Sequence, residues 1–302
     1  MDTTHTRLDP TFPVCWEDPE TLRVGFERPV ARLNSPTPGM QRFVSALREG
    51  VDPSRLSEEA RRTGATLAEA RSTLDEMRPA LARLPVGSPG QSGLPPRRRA
   101  PEPRDDSPAV RTVICDDDLP VRHLGDALAA TSLCRPARLG AAPNSPERPE
   151  LVIFVERYWS PLGRAQRWLM DDVPHLLLRF TDGEVHVGPL VGAGGSPCHT
   201  CVSLARVEND PATGVLAAQL AGTRTSSENR GTVMLSAAFA AEHIEAWITG
   251  EDRALTTRVV LPVAAGLSHM LPRVETVLPH PDCACAQLGS VSAPPRSCPP
   301  RR

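Results

Sequence analysis

Short apolar stretches separated by turn residues, then helical spacing, occupy the chain from Pro13 to Leu84. Val14-Cys15-Trp16, Leu22-Arg23-Val24-Gly25-Phe26 and Pro29-Val30-Ala31-Arg32-Leu33 predict three short strands. Asn34 or Ser35 is positioned to cap a helix over Pro38–Arg48 that ends at Gly50. Ser54 or Ser57 starts a second helix stopping near Gly64. Thr66 caps a third, on which Leu67, Ala70, Leu74, Met77, Leu81 and Leu84 recur at three- and four-residue steps. A β-ribbon followed by three short helices is the layout of a winged helix-turn-helix.

The pattern then breaks. Pro85–Ala109 holds seven prolines and the run Arg97-Arg98-Arg99 with almost no apolar residues, which predicts a flexible linker. Apolar segments return from Val110 to about Leu288. Val110–Cys115 predicts a strand, Val121–Leu133 a helix, and the continuous run Leu151–Val155 a strand of the parallel-sheet kind. A helix over Pro161–Asp171 and a strand over Pro174–Phe180 follow, with a tight hairpin at Thr181–Glu184 leading into Val185–Gly188. Further helices are expected over Pro211–Leu220 and Leu235–Thr249, then a strand at Thr256–Pro262, with residues 289–302 as a frayed tail. Alternation of strand and helix makes this an α/β unit. The predicted organisation is thus a small unit over 12–84, a linker over 85–109 and an α/β unit over 110–288.

Composition narrows the function. With 40% apolar residues among 302, a sizeable core is feasible. All 34 basic residues are Arg, so a P-loop lysine, a Schiff-base lysine and a kinase-type phosphate lysine are all excluded. Net charge is −2, and residues 1–84 carry 12 Arg against 13 Asp plus Glu, so the basic face a duplex binder needs is not in evidence. Few aromatics argue against stacking on single strands. No nucleic-acid partner is expected. The polar N-terminus does not resemble a signal peptide and no apolar run reaches ~18–20 residues, which predicts a soluble, cytoplasmic chain without a membrane partner.

Candidate chemistry concentrates in cysteine. Cys198-His199-Thr200-Cys201 and Cys283-Ala284-Cys285 form two close pairs, and a turn between paired thiolates can aim both sulfurs at one centre. Together they supply a four-thiolate shell, which favours structural zinc, tying the end of the chain to the loop after the hairpin. A redox Cys-x-x-Cys, or four unrelated buried thiols, are the competing readings. Cys15, Cys115, Cys134 and Cys298 read as core or tail residues. The glycine-rich stretch Gly188–Gly195 precedes the first cysteine pair, and reads as a loop needing positive φ. After the first α/β strand, where a nucleotide fold needs Gly-x-Gly-x-x-Gly, stands Asp116-Asp117-Asp118, a charge that would repel a pyrophosphate and that reads as a solvated loop. His175, His186 and His280 read as structural.

Several of these segments together resemble a family. Val187-Gly188-Pro189-Leu190-Val191, Ser196-Pro197-Cys198-His199-Thr200-Cys201, Asp210-Pro211, Ala217-Ala218-Gln219-Leu220 and Pro279-His280-Pro281-Asp282-Cys283-Ala284-Cys285 are similar to segments of the ThiF-like cyclodehydratase partner proteins. These are the leader-peptide-binding proteins of azoline-forming pathways to ribosomally made natural products, bacteriocins and thiopeptides among them. The resemblance covers about 12–84 and 110–288. It implies a winged-helix precursor-recognition unit and a degenerate ThiF-like, Rossmann-type α/β unit whose zinc ligands are Cys198, Cys201, Cys283 and Cys285. It also implies that a leader peptide adds as a strand beside Val30, Ala31, Arg32 and Leu33 and lies against a third helix at Leu67, Arg71, Leu74 and Arg78. Its implied partners are the precursor peptide and a YcaO-type cyclodehydratase, with a homodimer as an option.

The chain departs from the active ThiF-type adenylyltransferases in lacking both the glycine loop and the phosphate lysine. The expected function is therefore non-catalytic: binding a leader and docking it on a cyclodehydratase. The alternatives are an adenylyltransferase with an atypical nucleotide site, a peptide- or protein-binding module outside natural-product pathways, and, more remotely, DNA regulation; for the N-terminal unit alone, a dimerisation or docking domain is the alternative.

Overall fold

The structure, a computed structural model, describes residues 4–85, 109–138, 148–192, 195, 197–263 and 271–285. The expected linker (but for its end residues), its Arg97–Arg99 run, the tail and Cys298 lie outside the described residues.

The N-terminal part opens with β1 (Thr4–Leu8), followed by β2 (Val14–Trp16), β3 (Thr21–Val24) and β4 (Ala31–Asn34), which form a three-stranded antiparallel sheet in the order β2-β3-β4. Then come α1 (Pro38–Glu49), α2 (Leu56–Thr63) and α3 (Leu67–Glu76), packed on one another. The cap of α1 is Thr37, whose side chain accepts from Met40 N–H, and not Asn34 or Ser35. Pro38 explains the shift, since proline suits the first helical position and puts the cap just before it. Helix α3 carries a full capping box between Thr66 and Glu69.

The third helix is shorter than its apolar spacing predicts. Pro79 lacks the N–H needed to continue, and a 3-10 turn at Arg78–Ala80 leads into β5 (Leu81–Pro85). Leu81 therefore belongs to a strand, and β5 pairs antiparallel with β1, from Thr4↔Pro85 to Leu8↔Leu81. That pairing brings residues 4–8, ahead of the expected span, into the N-terminal unit.

The remainder has the α/β fold expected of it. Its elements are β6 (Val110–Cys115), α4 (Leu124–Ala129), β7 (Cys134–Arg138), β8 (Leu151–Arg157), α5 (Gly163–Met170), β9 (His175–Phe180), β10 (Glu184–Val191), α6 (His199–Asn209), α7 (Thr213–Gln219), α8 (Arg230–Ile248), β11 (Thr257–Pro262) and β12 (Arg273–Thr276). The sheet order is β12-β11-β10-β9-β8-β6-β7. Strands β7, β6, β8 and β9 run parallel, and β10, β11 and β12 add antiparallel.

Strand alternation divides the core in two. Leu151, Ile153 and Val155 of β8 face the side packed by Val233, Ala237, Ala240 and Ile244 of α8, whereas Val152 and Phe154 face Ala165 and Trp168 of α5 and Cys201 and Val202 of α6. A strand buried on both faces needs an unbroken apolar run, which is what β8 has. Several elements depart from expectation, among them the unexpected strand β12 and the start of α8 at Arg230 instead of Leu235. The helix expected over 121–133 ends at Ala129 and is followed by strand β7, and the first cysteine pair opens helix α6 instead of lying in a loop. Among the described residues no helix is long and apolar enough to cross a membrane.

Candidate functional site

Strand β10 ends just before the first cysteine pair. Cys198 occupies the N-cap position of α6, so Cys201 falls in the first turn and both sulfurs face the same way. Cys283 and Cys285 follow β12 on the segment that returns across the sheet. All four are buried. Cys198 Sγ lies 3.9 Å from Cys201 Sγ and 3.6 Å from Cys283 Sγ, and Cys201 Sγ lies 3.1 Å from Cys285 Sγ. The four sulfurs sit within 4.8 Å of one another. A disulfide would need ~2.05 Å. A tetrahedron with metal–sulfur bonds of ~2.3 Å has edges of ~3.8 Å, so this cluster could hold a metal ion.

Burial pushes the Cys283 thiol up to about 11 and raises Cys285 as well. Burial also opposes ionisation of Cys201, but backbone hydrogen bonds at His280 and Cys198 outweigh it and bring that thiol below its ordinary value. The pair stands at a helix N-terminus after a strand, where a redox Cys-x-x-Cys would also stand. Location therefore does not separate the two readings, and the second pair converges on the first.

His199, inside the first pair, connects this cluster to the sheet. Its Nε2 lies 2.7 Å from Glu156 Oε1, and Arg179 Nε donates to Glu156 Oε2 at 3.0 Å, all three residues being buried. Burial alone would raise Glu156, but Arg179 and then His199 more than offset it and hold the carboxyl well below its usual range. Sequence reasoning missed this network. Its signal was a Glu and an Arg inside otherwise apolar strands.

The expected peptide-binding residues fall into three groups. Ala31 and Leu33 are buried in the N-terminal core, and in this register their backbone groups face β3; on the edge strand β4 it is the backbone of Arg32 that faces outward. Val30 is half-buried at the start of that edge. Arg32 is exposed and points elsewhere, making a bidentate pair with Glu17 at 2.6 and 2.9 Å. On α3, Leu67 and Leu74 are half-buried and Arg71 is exposed, as is Arg78 just beyond the helix. Thr6, Leu74, Asp75, Arg78 and Leu81 line a hollow of about 410 Å³, with Arg78 paired to Asp75. The structure thus brings Leu74 and Arg78 together and sends Arg32 to a different cleft.

That second cleft, about 840 Å³, lies between the N-terminal part and the α/β part. Arg32, Glu27 and Arg206 line it, together with Glu184 and His186 of β10 and Arg273 of β12. Arg206 Nη1 donates to Glu27 Oε1 at 2.6 Å and Arg273 Nη2 to Glu184 Oε1 at 2.8 Å. His186, expected to be structural, sits between the two carboxylates.

The order β7-β6-β8-β9 reverses direction between β6 and β8, and the crevice beyond their C-terminal ends is where open α/β sheets bind ligands. Here arginines tie the loop after β6 to its neighbours. Asp117 and Asp118 adopt φ of 55° and 59°, and Arg164 pairs with Asp117 at 2.5 Å. Arg157, paired with half-buried Glu228 at 2.7 Å, donates to Leu119 O at 2.6 Å, and Arg224 donates to Pro120 O at 2.9 Å. Asp116, which reads from sequence as part of a solvated loop, is buried.

No protein-family model and no curated protein sequence matches the chain. Solved structures do. The chain is similar to a chain of the E. coli microcin synthetase McbBCD complex, at 11% identity and a TM-score of 0.44, covering 93% of this chain and 100% of that one. E. coli MccB with ATP follows at 8% identity and a TM-score of 0.40, with 93% and 99% covered. A heterocyclase in complex with substrate and cofactor is similar at 14% identity and a TM-score of 0.39, over 92% of this chain; the chain spans only 38% of that heterocyclase.

Proposed function

We propose that this chain is a non-catalytic recruiter that binds the leader of a ribosomally made precursor peptide and docks it onto a YcaO-type cyclodehydratase for azoline formation. The observation that carries the reading is the open edge of β4 beside α3, with a hollow at Leu74 and Arg78 at the C-terminal end of that helix. The N-terminal unit is read as a winged helix. An added strand gains main-chain hydrogen bonds from the edge, and a hollow lined by Leu74 and Leu81 takes an apolar side chain of the same peptide. Holding the leader raises the effective concentration of the core peptide at the partner, where the chemistry on Cys, Ser or Thr takes place.

The crevice between β6 and β8 supports a non-catalytic role. Arg157 pairs with Glu228 and binds the loop after β6, that loop carries Asp116-Asp117-Asp118 where a glycine loop would stand, and no lysine is available to hold a phosphate. The four-cysteine cluster is read as structural zinc, since four thiolates complete the shell and leave no position for water.

The test is a paired binding assay on the whole chain. One arm uses a fluorescent peptide carrying the leader of the precursor encoded beside it, the other ATP under the same conditions. Saturable leader binding that a β4-edge variant, Arg32→Pro, weakens at least about tenfold, with no ATP binding, is the expected result. ATP binding or pyrophosphate release without a partner overturns it in favour of an adenylyltransferase.

A further inference from the structure

Glu27, Glu184 and His186 offer three ligand atoms within 4.8 Å of one another at the wall of the cleft between the two parts. Glu184 and His186 are two apart on β10 and so share a face of the sheet, while Glu27 comes from the loop after β3. Each carboxylate has one oxygen engaged: Glu27 Oε1 by Arg206 and Glu184 Oε1 by Arg273. The other oxygens turn toward His186. Its Nε2 lies 3.3 Å from Glu184 Oε2 and 3.8 Å from Glu27 Oε2, without hydrogen-bond geometry to either. His186 is only 6% exposed, yet both ring nitrogens lack a hydrogen-bond partner, as does the buried Glu27 Oε2.

Two of these atoms, His186 Nε2 and Glu27 Oε2, lie together with Glu184 Oε2, and a group bound among them would relieve their desolvation cost. Two carboxylate oxygens and an imidazole nitrogen are acceptors, so that group is a cation. We propose that Glu27, Glu184 and His186 bind a divalent transition-metal ion of the zinc class, distinct from the four-cysteine cluster. Imidazole with carboxylate suits such an ion, and the spacings approach those of ligands ~2.0–2.2 Å from a common centre. Arg206 and Arg273 orient the carboxylates from the outer side, as second partners of metal ligands commonly do. Because Glu27 belongs to one part and Glu184 and His186 to the other, the ion fastens the two together. The competing arrangement is a protonated His186 clamped between the carboxylates with no metal.

The test uses the tag-free full chain titrated with Co²⁺, whose thiolate-to-metal absorption in the near ultraviolet distinguishes a sulfur site from an oxygen and nitrogen site. Two ions per chain are expected, one with thiolate absorption and one without. His186→Ala and Glu184→Gln should each remove only the ion without it, the retained thiolate absorption reporting that the fold is intact. One ion per chain with thiolate absorption, unchanged in both variants, overturns the proposal and favours the protonated clamp. An ion without thiolate absorption that disappears in both variants supports it even where the cysteine cluster binds nothing. No bound ion of either kind overturns this site and the zinc reading together.

Discussion

Asp182, in the turn between β9 and β10, accepts the backbone N–H of Phe26 at 2.7 Å, and its second oxygen takes the N–H of Glu27 at 2.9 Å. One buried carboxylate thus fixes the loop leaving β3 against the α/β part. Arg23 reinforces it, its guanidinium wholly buried and 2.7 Å from Asp210. Phe26 packs edge-on to Tyr158 beside this anchor, with ring centroids 5.1 Å apart. Asp182→Ala leaves two buried N–H groups without an acceptor, and hydrogen bonds to a charged group contribute ~1.5–3 kcal/mol each. The expected loss is ~3 kcal/mol in urea unfolding, with Asp182→Asn losing less because its amide oxygen still accepts one bond. A loss below ~1 kcal/mol would mean that the two parts are held by other contacts.

The cysteine cluster makes a second prediction. Cys283→Ser removes one of four converging sulfurs, and metal binding to such shells is coupled to folding. Thiolate-bound metal should fall sharply and the melting temperature with it, while Cys15→Ser, at a buried cysteine outside the cluster, should leave the metal content unchanged. A variant at Cys283 with unaltered melting and full metal content would rule out a four-sulfur site.

How much of this was legible follows from what each residue needed. Strand β8 announces itself as a continuous apolar run over Leu151–Val155, and β9 through Leu176–Leu178, because a strand buried on both faces has no polar alternation to hide it. Thr66 and Glu69 give away the start of α3, since a capping box is a local interaction. The glycine-rich stretch expected as a loop is in part strand: Gly188–Val191 belongs to β10, Gly188 and Gly195 take positive φ of 95° and 65°, Gly192 does not, and Ala193 and Gly194 lie outside the described residues. Strand β5 was hidden because Leu81 and Leu84 continue the helical spacing of Leu74 and Met77, with Pro79 the only local sign of a break, and its partner β1 lies at the other end of the unit. The chemistry split along the same line. Paired cysteines show their convergence through short spacing, whereas Glu156 with His199, and Glu27 with His186, meet only once distant strands and helices pack.

His175 gives a pH prediction. Burial, only partly countered by its contact with Val173 O at 3.0 Å, lowers its pKa from an ordinary 6.5 to about 4. Between those values the unfolded chain binds a proton that the folded chain refuses. Its contribution to stability is therefore full above 6.5 and is lost as pH falls toward 4, by ~3 kcal/mol. Unfolding of the wild type should weaken across that window, and His175→Asn, which cannot titrate, should show a flatter slope whatever its absolute stability. Equal slopes would mean that His175 is accessible to protons in the folded chain.

The groove is tested most sharply by two residues that sequence reasoning placed in one site and the structure separates. Leu74 lines the hollow beside α3, whereas Arg32 is held by Glu17 in the cleft between the two parts. A peptide added to the edge of β4 uses the backbone at Arg32 and not its side chain, since edge pairing is a main-chain interaction. Leu74→Asp places a charge where an apolar side chain should seat, at a cost of ~1.5–3 kcal/mol, so the leader peptide's Kd should rise about tenfold or more. Arg32→Ala should change it by less than about twofold, because an exposed pair of this kind contributes ~0–1 kcal/mol. Fluorescence anisotropy with both variants decides the matter. The reverse pattern, with Arg32→Ala damaging and Leu74→Asp silent, would place the peptide in the cleft lined by Glu27 and Arg206, and would overturn the strand-addition reading.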